Sequence, residues 1–143
     1  TLETIVKLYK ERFVKKEINL NINIPNTASI NFDLEHFNII LRNIVSNALK
    51  YTKPNGLISI RFYENDITKS LVICDNGLGM KPDLILAIQS KKELISQTGT
   101  QNEKGTGIGL SICQELIELN NGILKIESTI NRGSCFKINV PKD

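Results

Sequence analysis

Long apolar runs are missing from this sequence of 143 residues. No stretch approaches the roughly 20 apolar residues that a membrane-spanning helix needs. The opening "TLETIVKLYK" lacks the charged-then-apolar order of a signal peptide. Cysteine is scarce: Cys74, Cys113 and Cys135 stand singly in apolar surroundings, without a CxxC pair. An odd number of dispersed cysteines argues against a disulfide scaffold, so structural thiols in a reducing cytoplasm are the expectation. Charge of one sign is also lacking. A net +3, evenly spread and without a basic run interleaved by aromatics, gives nucleic acid nothing to bind. Internal repeats and low-complexity tracts are absent, and histidine occurs once, at His36.

What remains is ordinary for a globular chain, with 41% hydrophobic and 23% charged residues. The length fits one domain with a substantial core. Ile5, Leu8, Tyr9 and Phe13 recur at helical spacing between Glu3 and about Lys16. "INLNINIP" (Ile18–Pro25) alternates apolar and polar, which predicts a strand with one buried face, and "SINF" reads as a short partner strand. Asp33 is a fitting N-cap for a helix to about Thr52, stopped by "KPNG". "LISIRFY" and "SLVICD" predict two strands. The pattern weakens from Asn76 to Thr106, apart from a short helix near Leu84–Ile88. A helix over Gly109–Asn121 ends at "NNG", and "ILKIEST" and "SCFKINV" form a hairpin around "INRG". Without regular βαβ alternation, the class is α+β: a two-layer α/β sandwich with a mixed, mostly antiparallel sheet of about five strands and about three helices on one face.

Three segments carry chemistry. On the helix that carries "NIVSNALKYT" (Asn43–Thr52), Phe37, Leu41, Ile44, Val45 and Ala48 share one face at about 100° per residue, while Glu35, Arg42 and Ser46 face solvent. His36, Asn43, Asn47 and Lys50 form a stripe between the two. That stripe is either the polar margin of a core or a ligand wall. In the second case the Asn47 amide oxygen suits Mg²⁺ as a hard neutral ligand, and Lys50 suits phosphate as a compact cation. "DNGLGM" (Asp75–Met80) directly follows an apolar strand. Its glycines allow backbone to approach a ligand, and Asp75 could accept from an exocyclic amine such as adenine N6; alone, the same residues make a plain turn. "EKGTGIGLS" (Glu103–Ser111) alternates Gly105, Gly107 and Gly109 just before a helix, which aims backbone N–H groups at an anion. It lacks the Gly-Lys-Ser/Thr of a P-loop and the spacing of the dinucleotide fingerprint.

The order of these segments resembles the ATP-binding catalytic domain of sensor histidine kinases, in the gyrase, chaperone, histidine kinase and mismatch-repair ATPase superfamily. The likeness runs from about Leu2 to Lys142, with "NIVSNALKYT" similar to the family's N box, "DNGLGM" and "GTGIGLS" to its two glycine boxes, and "NRGSCFKINVP" to its last hairpin. The resemblance implies a Bergerat-type ATP-binding fold and a single catalytic domain over residues 1–143. Residues 1–16 would be the helix that follows a dimerisation and acceptor domain. It also implies ATP and Mg²⁺ as cofactors. Asn47 would ligate the metal, and Asn43 and Lys50 would occupy the catalytic positions. Tyr51 would lie near the nucleotide, Asp75 would read the adenine amine with Gly79 leaving room for the ring, and Gly77 and Met80 would also belong to the ATP site. Lys104, Gly105, Thr106, Gly107, Ile108, Gly109 and Leu110 would shape the phosphate side and lid, and Ser134 would assist Asp75.

The implied partners are the histidine-containing dimerisation domain of the same kinase and a response regulator receiver domain. The fragment itself is expected to be a monomer, cytoplasmic or at the cytoplasmic end of a membrane-bound sensor. Two departures stand out. Residues 81–104 contain no Phe, where the family often has a Phe-rich box. "EHFN" around His36 does not resemble the phosphoacceptor signature, so the accepting histidine is expected elsewhere. In the hydrolytic branches a Glu, serving as general base, stands where this chain has Asn43. An amide cannot take a proton from water near neutral pH, so slow hydrolysis and phosphotransfer to histidine are the implied activity. The alternative is a nucleotide-binding pseudo-kinase or regulatory interaction module.

Overall fold

The computed structural model describes residues 2–90 and 109–142. The N-terminal apolar spacing yields two short helices, α1 (Leu2–Leu8) and α2 (Lys10–Lys15), where one helix was expected. Tyr9, at φ −102° and ψ 7°, breaks the run, while Ile5 and Phe13 still reach the core. Strand β1 (Asn19–Asn23) follows, shorter than the alternation predicts. Helix α3 (Leu34–Tyr51) starts at Asp33, whose carboxylate accepts the His36 N–H at 2.9 Å. That satisfies one of the orphan donors of the first turn. Ile40, Leu41, Ile44, Val45, Ala48 and Leu49 are all at most 1% exposed, so this helix carries the centre of the core.

Strands β2 (Leu57–Glu64) and β3 (Thr68–Asp75) form a hairpin, α4 (Pro82–Gln89) and α5 (Gly109–Leu119) pack against each other and β4, and β4 (Ile123–Thr129) and β5 (Gly133–Pro141) close a second hairpin. The sheet runs β1-β2-β3-β5-β4, with β1 parallel to β2 and every other pair antiparallel. Residues 29–32 are not a strand. β1 takes β2 as its partner instead, and the chain crosses over through α3 to reach it. The α+β, five-stranded expectation holds. Among the described residues no helix is long and apolar enough to cross a membrane.

Inward-facing residues stack in rows across the sheet. Phe62, Leu71, Ile138 and Leu124 make one row, and Ile60, Ile73, Phe136 and Ile126 the next. One step further the row changes character, to Ile58, Asp75, Ser134 and Ser128. A core that turns polar at one end of its sheet marks where something other than protein is to be met.

The outer face brings a correction. Cys74 and Cys135 are register partners on β3 and β5, with Cα atoms 4.1 Å apart, and are joined as a disulfide. The expectation of three structural thiols fails because pairing depends on which strands become neighbours, and spacing along the chain does not show that. Cys113 alone is free. It is fully buried, and burial pushes its thiol up to about 12.

Candidate nucleotide site

The polar row forms the end wall of a concavity lined by Asn47, Tyr51, Asp75, Gly79, Met80, Leu110, Ser134 and Phe136. Asp75 ends β3 and receives the Gly77 N–H on Oδ1 at 2.9 Å. Burial pushes its carboxyl up to about 6 from 3.8, against the opposing pull of backbone N–H groups at Gly77 and Ser134. The group is therefore a half-buried acceptor with reduced hydration, which raises the value of any donor a ligand presents.

The loop after Asp75 is held from two sides. Leu78 N–H donates to Tyr51 O at 3.0 Å, and Leu78 O accepts from Asn131 N–H at 2.8 Å. The fit leaves no room for side chains. A Cβ on Gly77 would lie 2.2 Å from Tyr51 O, and one on Gly79 would lie 2.1 Å from Thr129 O, with Gly79 at φ +70°. Met80 N–H donates to Ser128 Oγ at 2.7 Å, which ties the loop to β4.

Helix α3 supplies the opposite wall. Asn47 is half-buried and opens into the concavity. Lys50 is 4% exposed, with Nζ 4.9 Å from the centre of the Tyr51 ring. The last carbonyls of the helix, at Leu49 and Lys50, accept from Lys16 Nζ, a cation at the negative end of the helix. Asn43 sits a turn earlier and outside the lining. Its Nδ2 donates to Ile39 O at 2.8 Å, and its Oδ1 lies 2.5 Å from where a Gly109 Cβ would stand.

Of the expected site residues, Asn47, Tyr51, Asp75, Gly79, Met80, Leu110 and Ser134 come together around one concavity. Gly77 packs on the Tyr51 backbone, Lys50 Nζ lies beside the Tyr51 ring, and Asn43 packs on Gly109. Lys104, Gly105, Thr106, Gly107 and Ile108 lie outside the described residues. Sequence reasoning missed Phe136, which lines the concavity, and Ser128, which stands beside Ser134 in the polar row. The inward phase of "SCFKINV" offered a signal for Phe136, whereas Ser128 needs the β4–β5 register.

The arrangement can take a flat ring between Gly79, Met80 and Phe136, with an amine directed at Asp75. No group of three or more His, Cys, Asp or Glu able to hold a metal occurs among the described residues. A single amide at Asn47 fits a Mg²⁺ whose other ligands are phosphate oxygens and water.

Comparison with known proteins gives the family and the fold. Residues 32–143 match the family described as histidine kinase-, DNA gyrase B-, and HSP90-like ATPase. The chain belongs to that family, and within it is a domain of the histidine kinase catalytic and ATP-binding type. It is 29% identical over 134 residues to the sensor protein SrrB of Staphylococcus aureus, covering 94% of this chain and 23% of SrrB. The chain thus spans about a quarter of that relative's length. The nucleotide-free catalytic domain of histidine kinase ThkA superposes with a TM-score of 0.81 at 27% identity, over 99% of this chain and 90% of that one. ThkA in complex with response regulator protein TrrA shows the same fold, with a TM-score of 0.77 at 23% identity over 99% of this chain and 39% of that one.

Proposed function

We propose that this chain binds Mg²⁺-ATP and transfers the γ-phosphoryl group to a histidine on a dimerisation domain, as one catalytic domain spanning residues 1–143. Residues 1–16 lead in from that acceptor domain, a response regulator receiver domain takes the phosphoryl onward, and the site of action is the cytoplasm. The observation that carries this reading is the polar row, in which Asp75 and Ser134 end an apolar core opposite the Asn47 amide.

Asp75 accepts from the base amine and so fixes the nucleotide's orientation. Asn47 holds Mg²⁺, which neutralises phosphate charge when bound. Lys50 places a cation at the phosphate side, and Asn43 offers no base to activate water. An imidazole nitrogen of the acceptor histidine attacks the γ-phosphorus in line. A P–N bond forms, the bond from phosphorus to the ADP oxygen breaks, and ADP leaves.

The test supplies this chain in trans with its cognate dimerisation-and-acceptor domain and radiolabelled ATP. Label is expected on the acceptor, acid-labile and alkali-stable, at low yield because the tether that gives about millimolar effective concentration is missing. The chain alone should not label itself. Acid-stable label on this chain would overturn the reading, and ATP binding without transfer would leave a pseudo-kinase. Asn43→Glu is the companion variant, in which hydrolysis by water is expected to rise.

A further inference from the structure

Ser128 Oγ has three polar neighbours: Met80 N at 2.7 Å, Gly133 O at 3.1 Å and Ser134 Oγ at 2.7 Å. A hydroxyl owns one proton and two lone pairs. The Met80 N–H can only donate, and the Gly133 carbonyl can only accept. Either hydroxyl could donate in the contact between the two serines, but all three contacts are hydrogen bonds at once only if the proton of Ser128 goes to Gly133 O and Ser134 donates to Ser128. That commits the single proton of Ser134 away from the concavity and leaves lone pairs facing it. Beside it in register stands Asp75, which when ionised is also acceptor-only.

We infer that Ser128 determines base specificity: by drawing the Ser134 proton, it makes the end wall of the pocket a double acceptor that admits an amine and rejects a carbonyl. The inference rests on the nucleotide-binding reading and deepens it. Ser128 touches no ligand and is a positioning residue. A base with an exocyclic amine offers two N–H groups to this wall. A 6-oxo purine such as hypoxanthine puts a carbonyl oxygen against two acceptors, a mismatch that binding sites discriminate strongly.

Ser128→Ala removes the acceptor for Ser134, whose proton is then free to turn into the pocket and meet a carbonyl. The experiment measures equilibrium affinities of ATP and ITP for the whole chain, with thermal melts alongside. The wild type is expected to prefer ATP, Ser128→Ala to lower the ATP-to-ITP affinity ratio about tenfold, and Ser128→Thr, which keeps the hydroxyl, to restore it. Should the alanine variant not fold, Ser128→Cys, with its weaker hydrogen bonding, is expected to lower the ratio by a smaller factor. A ratio unchanged in the variants while ATP still binds would overturn the inference alone, since a purely structural role weakens both nucleotides equally. A wild type that binds neither nucleotide would overturn the nucleotide reading and this inference with it.

Discussion

Asp75 and Ser134 stand directly opposite each other in the β3–β5 ladder, and both face the concavity. The pairing sets a half-buried carboxyl beside a hydroxyl, and the desolvation that pushes the carboxyl up to about 6 is also what makes it useful to a ligand. Asp75→Asn should weaken ATP and ADP alike, by about 1–3 kcal/mol, because a charge-assisted bond to the base is lost. Calorimetric titration of both nucleotides checks this; an unchanged ADP affinity would refute the role assigned to Asp75.

The same variant should stabilise the empty domain. Between pH 3.8 and about 6 the folded state binds more protons at Asp75 than the unfolded chain does, so this group makes stability fall as pH rises. The penalty is complete above about pH 6 and absent below 3.8, where the carboxyl is protonated in both states. Ligand-free Asp75→Asn should therefore melt higher than wild type at neutral pH. The difference should shrink through the range from about 6 to 3.8, which a series of melts at stepped pH would trace.

Asn47→Ala should abolish the Mg²⁺-dependent part of ATP binding and leave the melting temperature close to that of wild type. The side chain is half-buried at the pocket edge, and its neighbours Ile44 and Ala48 carry the packing. Titrations with ATP, with and without Mg²⁺, would show the loss. A collapse in melting temperature would instead make Asn47 a structural residue.

Gly79→Ala and Gly109→Ala should differ. At Gly79 a new Cβ meets the Thr129 backbone, and the left-handed φ of +70° alone costs a side chain about 1–2 kcal/mol. At Gly109 it meets the end of the Asn43 side chain, which can turn away. Chemical denaturation should show a loss of more than about 2 kcal/mol for Gly79→Ala and a smaller one for Gly109→Ala.

Thiol counting under denaturing conditions should find one reactive group, Cys113, in protein prepared without reductant, and three after reduction. Opening the bridge should lower stability by about 2–4 kcal/mol, since it closes a loop with a sequence separation of 61. Three thiols in the oxidised preparation would show that the bridge is not formed.

Local rules were enough for much of this molecule. Helix α3 is readable because its apolar positions, its Asp33 cap and its "KPNG" stop agree. Strands β2 to β5 are readable from alternation. What escaped depends on neighbours distant in sequence. Alternation says that Asn19–Asn23 is extended but not that its partner is β2 and parallel, so "SINF" looked like the nearer candidate. The break at Tyr9 interrupts an apolar spacing that stays in phase on both sides. The cysteine bridge and the place of Ser128 exist only once strands are in register. Asn47, Asp75 and Gly79 were legible only as a set: each alone also reads as a core margin or a plain turn, and it was their order along the chain, with the resemblance it carries, that placed them together.

The strand order has a consequence for how the domain is made. β5 is synthesised after the other four strands, yet it lies inside the sheet, between β3 and β4. A nascent chain that has not yet released residues 133–141 holds β3 with one side unpaired and lacks Ser134 and Phe136 altogether. Six of the eight lining residues are then in hand, but the wall that Ser134 and Phe136 complete is missing. Pairing β5 with β3 joins residues far apart along the chain, and such non-local pairing is entropically slow.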